Sequence, residues 1–388
     1  MKLATLLLLL VGFSAAQAGT IEADSGKNAI TTPATEESIY DKIWNLAKLY
    51  HNNSNPIIEE FDLIGRAQFD YFKVDSKKGN QDYFEIRRVR VGADTFLAER
   101  HIELKAELDT SLRSFGAPLL VYNRFTNLNA TFYIADEFNL RVGKFEPRFG
   151  YDRQFTDTQQ KFFERGFFDD QVISGNDYLS GAEITGKSGN WGYRAVVYSL
   201  SIDKEFGQFN GGQAYQAGLS YDFSKALGAD KALWVADYIH ASGQNAHSNG
   251  AFANTANTAA TYFDFQKASF CFVGQLGYDN QINGKGDIYQ LMLMPSYLIT
   301  KKLELVVRYQ LGLASEANGI TDINRQSKTV GKFTGNEYNA GYVGLNYYLY
   351  GQKLKFMVGE QLADLTGGTG AKANNTSWTT LVGLRMYF

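Results

Sequence analysis

The sequence predicts an all-β fold, a 16-stranded antiparallel transmembrane β-barrel. Apolar and polar residues alternate with a period of two over segments of about ten residues, the length that a tilted strand needs to cross a bilayer. The connections between these segments alternate between short turns and longer polar loops. Composition agrees, because the 388 residues include 24 Tyr, 28 Phe and 38 Gly but only 5 Pro, and aromatic residues favour strands.

Residues 1–18 have the features of a cleaved signal peptide. Lys2 provides a positive start, residues 3–13 form an apolar stretch too short to span a bilayer, and Ala16 and Ala18 mark a small-residue cleavage site. We therefore expect export and removal of this segment. The net charge of −3 argues against a nucleic-acid partner. The single cysteine, Cys271, excludes an intramolecular disulfide.

Residues 19–60 are predicted to form a periplasmic N-terminal segment with one short helix. Ile39, Ile43, Leu46 and Leu49 recur at helical spacing, which predicts an amphipathic helix within residues 36–50. Three placements of this helix are open: against the periplasmic mouth of the barrel, between subunits, or free in solvent.

The barrel domain is predicted to span residues 61–388. In residues 102–109, apolar residues occupy the even positions and charged residues the odd positions. A strand with one apolar and one charged face requires hydrocarbon on one side and water on the other. Residues 61–71 and 215–223 repeat the alternation. Pro295 lies within a predicted strand and removes a ladder hydrogen bond, so we expect an irregularity there.

The connections set the strand count. Short periplasmic turns are predicted near residues 98–100, 136–137, 187–190, 224–230, 266–267, 300–302 and 351–353. Longer external loops are predicted near residues 73–82, 114–123, 146–177, 202–212, 243–258, 279–286, 314–336 and 364–376. Seven turns and eight loops connect sixteen strands, an even number that leaves both termini on the periplasmic side.

The chain ends in a strand whose even positions from Trp378 to Phe388 form one face. Met386 and Phe388 are expected at the periplasmic edge of the lipid-facing band. A terminal Phe on such a strand resembles the signal that outer-membrane barrels present to their assembly machinery.

Several stretches resemble the phosphate-selective porin O and P family. They are residues 84–92 (FEIRRVRVG), 140–147 (LRVGKFEP), 163–165 (FER), 297–300 (YLIT) and 344–348 (GLNYY), in that order before the terminal Phe388. The resemblance implies a porin of the bacterial outer membrane, in contact with its lipid, usually a homotrimer, with an anion-preferring channel. It also implies that the third external loop, here residues 146–177, folds inward to narrow the pore.

Basic residues on the polar strand faces are the candidate pore-lining groups, because guanidinium groups replace part of an anion's hydration shell. The strand candidates are Arg66, Arg88, Arg90, Lys105, Arg141, Arg308 and Arg385. The constriction-loop candidates are Arg148, Arg153, Lys161, Arg165 and the acidic Glu164. Within residues 146–176, however, four basic residues face six acidic ones. The alternative is that these charges pair with one another and make the constriction rigid.

The charge balance favours a passive porin for small hydrophilic or anionic solutes over a phosphate- or pyrophosphate-selective channel. Two other functions stay open, a barrel-embedded lipid hydrolase using His240 or His247, and a structural barrel with a plugged lumen. Residues 181–188 match a phosphate-loop pattern, but the required helix does not follow, so Gly186–Asn190 is interpreted as a turn. The four histidines lack metal-type spacing, and we expect no metal, cofactor or enzymatic activity.

Overall fold

The computed structural model describes residues 38–110, 121–173, 177–201, 205–207, 212–242, 251–252, 254–282, 284–322 and 324–388. The predicted signal peptide, residues 19–37, His247 and parts of six predicted loops lie outside the described residues. None of the described helices has the length and hydropathy needed to cross a bilayer.

Strands dominate the fold, and three short helices accompany them. The strands are β1 Lys48–His51, β2 Ile58–Ser76, β3 Gly79–Leu97, β4 Ile102–Thr110, β5 Tyr122–Ala135, β6 Phe138–Phe145, β7 Leu179–Ser188, β8 Trp191–Ser199, β9 Gln213–Asp222, β10 Lys231–Ser242, β11 Thr255–Lys267, β12 Phe270–Gln281, β13 Asp287–Leu298, β14 Leu303–Ala314, β15 Ile320–Thr321, β16 Thr334–Gly335, β17 Glu337–Tyr350, β18 Leu354–Thr366 and β19 Asn375–Tyr387. The helices are α1 Ile39–Asn45, α2 Phe167–Val172 and α3 Ser224–Leu227.

Sixteen of these strands close into an antiparallel barrel. Each of the strands from β2 to β13 pairs with the next, β14 pairs with β17, and β17, β18 and β19 follow in order. β19 then pairs with β2, from Ser377 opposite Ser76 to Tyr387 opposite Arg66. The predicted 16-stranded barrel is confirmed. β15 and β16 form a separate two-stranded ribbon within the connection between β14 and β17.

The alternation of side chains separates the two surfaces of the wall as the sequence predicts. On β19, Trp378 on the outer face is 49% exposed, whereas Thr379 on the inner face is 1% exposed. On β4, Leu104 is exposed on the outer face, and Glu107 is buried on the inner face. The barrel therefore presents apolar side chains outward and encloses polar ones.

Two local predictions differ from the structure, and a third agrees with it. The predicted loop 73–82 is only the two-residue connection 77–78, because β2 and β3 are 19 residues long and continue beyond the apolar band. The residues that face outward in these extensions are polar, so this part of the sequence resembles a loop. The turn predicted at 266–267 lies at Ala268 and Ser269, since β11 extends to Lys267. The irregularity expected at Pro295 is present, because Met294 and Pro295 have no partners in the β13–β14 ladder, although the register does not change.

The N-terminal segment combines a helix with a strand, whereas the sequence predicts one helix within residues 36–50. Ser38 caps α1, and its side chain accepts a hydrogen bond from the Asp41 amide. α1 ends at Asn45 because the chain then turns into β1, which pairs with the first residues of β2. Trp44 is buried and donates a hydrogen bond from its indole to the backbone carbonyl of Tyr387. This contact holds α1 against the end of the barrel at which the short turns lie.

Candidate functional site

The connection between β6 and β7, residues 146–178, is the third loop. Its described residues form hydrogen bonds with many strands of the inner wall, among them β2, β3, β10, β12, β13, β14, β17 and β18. Lys161, for example, donates to Ser296 at 2.9 Å and to Glu304 at 2.7 Å. These contacts place the described part of the third loop against inner-face side chains on several sides of the barrel.

Helix α2 within the third loop is fixed by two aromatic residues that pack on glycines. A side chain at Gly312 would meet the ring of Phe167 at 2.2 Å, and one at Gly277 would meet the ring of Phe168 at 2.4 Å. Both rings are almost completely buried. The inner wall therefore leaves two recesses, on β14 and β12, into which α2 docks.

A β-bulge on β3 places Arg87 on the inner face beside Arg88 and Arg90. The register of β2 and β3 shifts between the pairs Gln68–Arg88 and Phe69–Ile86, so Arg87 is the additional residue. Arg87 then contacts Glu164 of the third loop at 3.1 Å, and Arg88 contacts Asp157 at 2.7 Å. Simple alternation assigns Arg87 to the outer face, so sequence analysis missed it.

Each of the seven strand candidates lies on the inner wall with a carboxylate partner. The pairs are Arg66 with Glu107 and Asp157, Arg88 with Asp157, Arg90 with Asp109, Lys105 with Asp94, Arg141 with Glu183, Arg308 with Asp152, and Arg385 with Asp70. The Arg141–Glu183 distance is 2.5 Å and the Lys105–Asp94 distance is 2.8 Å. The charge of these groups is therefore compensated locally.

Most third-loop candidates are paired as well. Arg153 contacts Glu146 at 3.0 Å and Asp170 at 2.8 Å, and Arg165 contacts Glu146 at 2.6 Å. Burial disfavours ionisation of Glu164, but the guanidinium groups of Arg87 and Arg325 outweigh it and hold the pKa of Glu164 below its ordinary value.

Arg148 differs from the other candidates. Within the described part of the chain, no carboxylate oxygen lies within 4.0 Å of its guanidinium group, and the side chain is exposed. Its backbone is nevertheless fixed, because its carbonyl accepts hydrogen bonds from Arg194, at 3.0 Å, and from Gln216. A fixed backbone therefore presents a guanidinium group that forms no ion pair with any residue the structure describes.

Two cavities lie between the third loop and the end of the barrel with the short turns. The larger has a volume of about 1060 Å³ and includes Arg148, Arg194 and Asp237 in its lining. The smaller has a volume of about 380 Å³ and includes Arg148, Arg141 and Glu183. Arg148 lines both cavities, so it borders the open space on this side of the third loop.

A third cavity, of about 200 Å³, lies on the opposite side of the third loop. Its lining includes Glu164 and Arg165 of the third loop, and Arg325 and Lys328 from the connection between β14 and β17. That connection, residues 315–336, is the seventh loop. Arg325 forms two hydrogen bonds with Glu85 on β3, so the seventh loop also reaches across the barrel opening.

Comparison with known proteins supports the assignment of this barrel. The family model described as phosphate-selective porin O and P matches residues 61–289. The chain belongs to this porin family. A search of curated protein sequences found no significant match. Family and fold together make this porin an outer-membrane channel.

Solved porin structures share the fold at low sequence identity. The anion-selective porin from Comamonas acidovorans has a TM-score of 0.57 and 11% identity, covering 84% of this chain and 99% of that porin. OprB of Pseudomonas putida has a TM-score of 0.61 and 9% identity, covering 84% and 94%. The outer-membrane channel DcaP of Acinetobacter baumannii has a TM-score of 0.54 and 10% identity, covering 88% and 100%.

Some charged residues that organise the porin interior were not among the sequence candidates. Arg124 contacts Asp177 at 3.4 Å, Arg194 contacts Glu183 at 3.2 Å, and Arg325 pairs with Glu85. Arg194 could have been found from the alternation in β8, where it lies opposite the apolar face. Arg325 lies in a long polar loop, and no periodicity indicates that it turns inward.

Proposed function

We propose that this porin is a passive channel for small hydrophilic solutes with a modest preference for anions. The observation that carries the proposal is Arg148, an exposed guanidinium group with no carboxylate oxygen within 4.0 Å among the described residues, which lines both cavities on the periplasmic side of the third loop. An uncompensated positive charge in a narrow aqueous path attracts anions and repels cations. The third loop forms the constriction.

The ion pairs favour this function over a tight phosphate-selective channel. A phosphate trap requires several donors whose charge is free, whereas the strand arginines already form ion pairs with carboxylates. Such pairs make the constriction rigid and leave a weak positive field. The solutes are therefore selected mainly by size, with charge as a secondary factor.

We further propose that the porin is a homotrimer in the outer membrane, in contact with its lipid. The proposed signal for the barrel assembly machinery is the C-terminal pair Met386 and Phe388. Met386 lies on the outer face of β19. The Phe388 ring covers Gly65. The Phe388 amide donates to the Gly65 carbonyl at 3.0 Å, and the Gly65 amide donates to the Phe388 carbonyl at 2.9 Å.

Reversal potentials in a potassium chloride gradient across a planar bilayer test the anion preference. We expect the purified porin to favour chloride, and Arg148→Ala to lower the chloride-to-potassium permeability ratio by roughly twofold, because a central positive charge is removed. Arg148→Lys should retain the preference. Lys225→Ala removes an exposed charge from α3, outside the cavity linings, and should leave the ratio unchanged.

Two results would contradict the proposal. A porin that gives no stepwise openings has a plugged lumen and is a structural barrel. Equal chloride-to-potassium permeability ratios for the wild type and Arg148→Ala would mean that Arg148 does not face the permeating ions.

A further inference from the structure

The cavity on the external side of the third loop, the outer cavity, is bounded by two loops and the wall. The third loop contributes Glu164 and Arg165, the seventh loop contributes Arg325 and Lys328, and β14 contributes Arg308. Its volume of about 200 Å³ is below the range of pockets for drug-sized ligands, roughly 300–1,000 Å³. It fits a molecule of about the size of one ring with one substituent.

Charged residues make up nearly half of the lining of the outer cavity. Five are basic and two are acidic, and these residues are Arg87, Arg165, Arg308, Arg325, Lys328, Glu164 and Asp170. The four guanidinium groups have carboxylate partners. Lys328 is exposed, and among the described residues no carboxylate oxygen lies within 4.0 Å of its ammonium group. Lys328 can therefore donate to a bound anion without breaking an existing ion pair.

Four of the nine other lining residues of the outer cavity are aromatic. Phe163, Phe167, Tyr338 and Tyr342 contribute to the wall, and each is only 4% exposed. Leu381 and the amide side chains of Gln310, Asn324, Gln326 and Gln361 complete the lining. The wall therefore combines apolar rings with uncharged polar groups.

We infer that the outer cavity binds a small organic anion that carries a carboxylate on a flat apolar body. The carboxylate contacts the Lys328 ammonium group, since charge-assisted hydrogen bonds are the strongest available there. The apolar body packs against the aromatic side chains. An inorganic anion would leave that aromatic wall uncovered. This inference rests on the proposed channel function and adds a class of solute to it.

Block of single-channel chloride current by sodium benzoate, added on the external side, tests the inference. We expect a saturable block, with a half-blocking concentration lower than that of inorganic phosphate. Lys328→Met should raise the half-blocking concentration of benzoate about fivefold, the effect of one partly exposed ion pair. Lys332→Met removes a lysine from the same loop outside the cavity lining and should leave it unchanged.

The outcomes separate the two proposals. Absence of stepwise openings contradicts the channel function itself. Normal openings with equal effects of Lys328→Met and Lys332→Met would overturn the outer site alone. Stronger block by phosphate than by benzoate would also overturn it, because the aromatic wall would then have no role.

Discussion

At the scale of single residues, the interior is organised by ion pairs more than by free charges. Asp70 is completely buried, and Arg385 forms two hydrogen bonds with its carboxylate, one of them at 3.1 Å. Arg308 and Arg66 are similarly buried beside carboxylates. Removal of one partner leaves the other charge buried and uncompensated, which costs more than the pair contributes. These arginines therefore hold the third loop and the wall in place.

The pair Arg385–Asp70 allows a direct test of this structural role. We expect Arg385→Met to lower the free energy of unfolding by about 3 kcal/mol, because Asp70 is left without a partner. Unfolding by urea in detergent micelles measures the change. The double variant Asp70→Asn/Arg385→Met removes both charges and should recover most of the loss. Equal losses in the single and double variants would show that packing, and not charge, is responsible.

Sequence alone predicted which residue types face inward but not how they pair. The alternation in β4 placed Glu107 and Lys105 inside, and the structure agrees. The partners of these residues come from other strands and from the third loop, so contacts such as Arg66–Asp157 join positions 91 residues apart. Arg148 was one candidate among eleven basic residues, and only the positions of the carboxylates distinguish it.

At the scale of elements, the third loop is fixed by shape as well as by charge. Phe167 and Phe168 of α2 occupy the space above Gly312 and Gly277 on the inner wall. Glycine weakens a strand, so its presence on an inner face usually marks a close approach by another group. The two glycines and the two aromatic residues therefore form one docking device.

Gly312→Val tests the docking of α2. A side chain at this position would lie 2.2 Å from the Phe167 ring, so we expect α2 to leave its recess and the single-channel conductance to increase. Gly341→Val, on the outer face of the adjacent β17, is the matched control, because nothing lies within 4 Å of the added atom. Unchanged conductance in a folded Gly312→Val channel would mean that α2 does not narrow the pore.

Sequence analysis predicted the elements well where one face meets hydrocarbon and less well where both faces meet water. The strands within the apolar band show a clear period of two. Beyond it, Lys73 and Asp75 of β2 are polar residues that continue a strand, and they were assigned to a loop. The third loop was predicted as a segment, whereas α2 within it has only six residues, too few for helical periodicity to be visible.

At the scale of the whole molecule, closure of the barrel creates a seam that the N-terminal segment covers. β19 ends opposite Arg66, but β2 begins eight residues earlier, at Ile58. Without the N-terminal segment, the first residues of β2, from Ile58 onward, would have an unpaired edge. Exposed strand edges promote association with other chains. β1 pairs with this edge through contacts such as His51 opposite Glu60.

The same segment also fastens the end of β19. The Trp44 indole donates to the Tyr387 carbonyl, and its ring lies 5.1 Å from the ring of Tyr350 at the end of β17. Tyr350 in turn donates a hydrogen bond to Asp41 of α1. These contacts join the first helix to the last strands, so α1 stabilises the closed cylinder rather than a single strand.

Replacement of Trp44 tests whether the N-terminal segment stabilises the whole barrel. Trp44 is only 7% exposed, so we expect Trp44→Ala to lower the free energy of unfolding by about 3 kcal/mol through loss of buried area and of the hydrogen bond. Trp191→Ala is the matched control, since Trp191 is 49% exposed on the outer wall and should change stability less. Urea unfolding in micelles, followed by tyrosine and tryptophan fluorescence, measures both variants. If Trp44→Ala unfolds like the wild type, α1 is a solvated leader, and the pairing between β2 and β19 alone maintains closure.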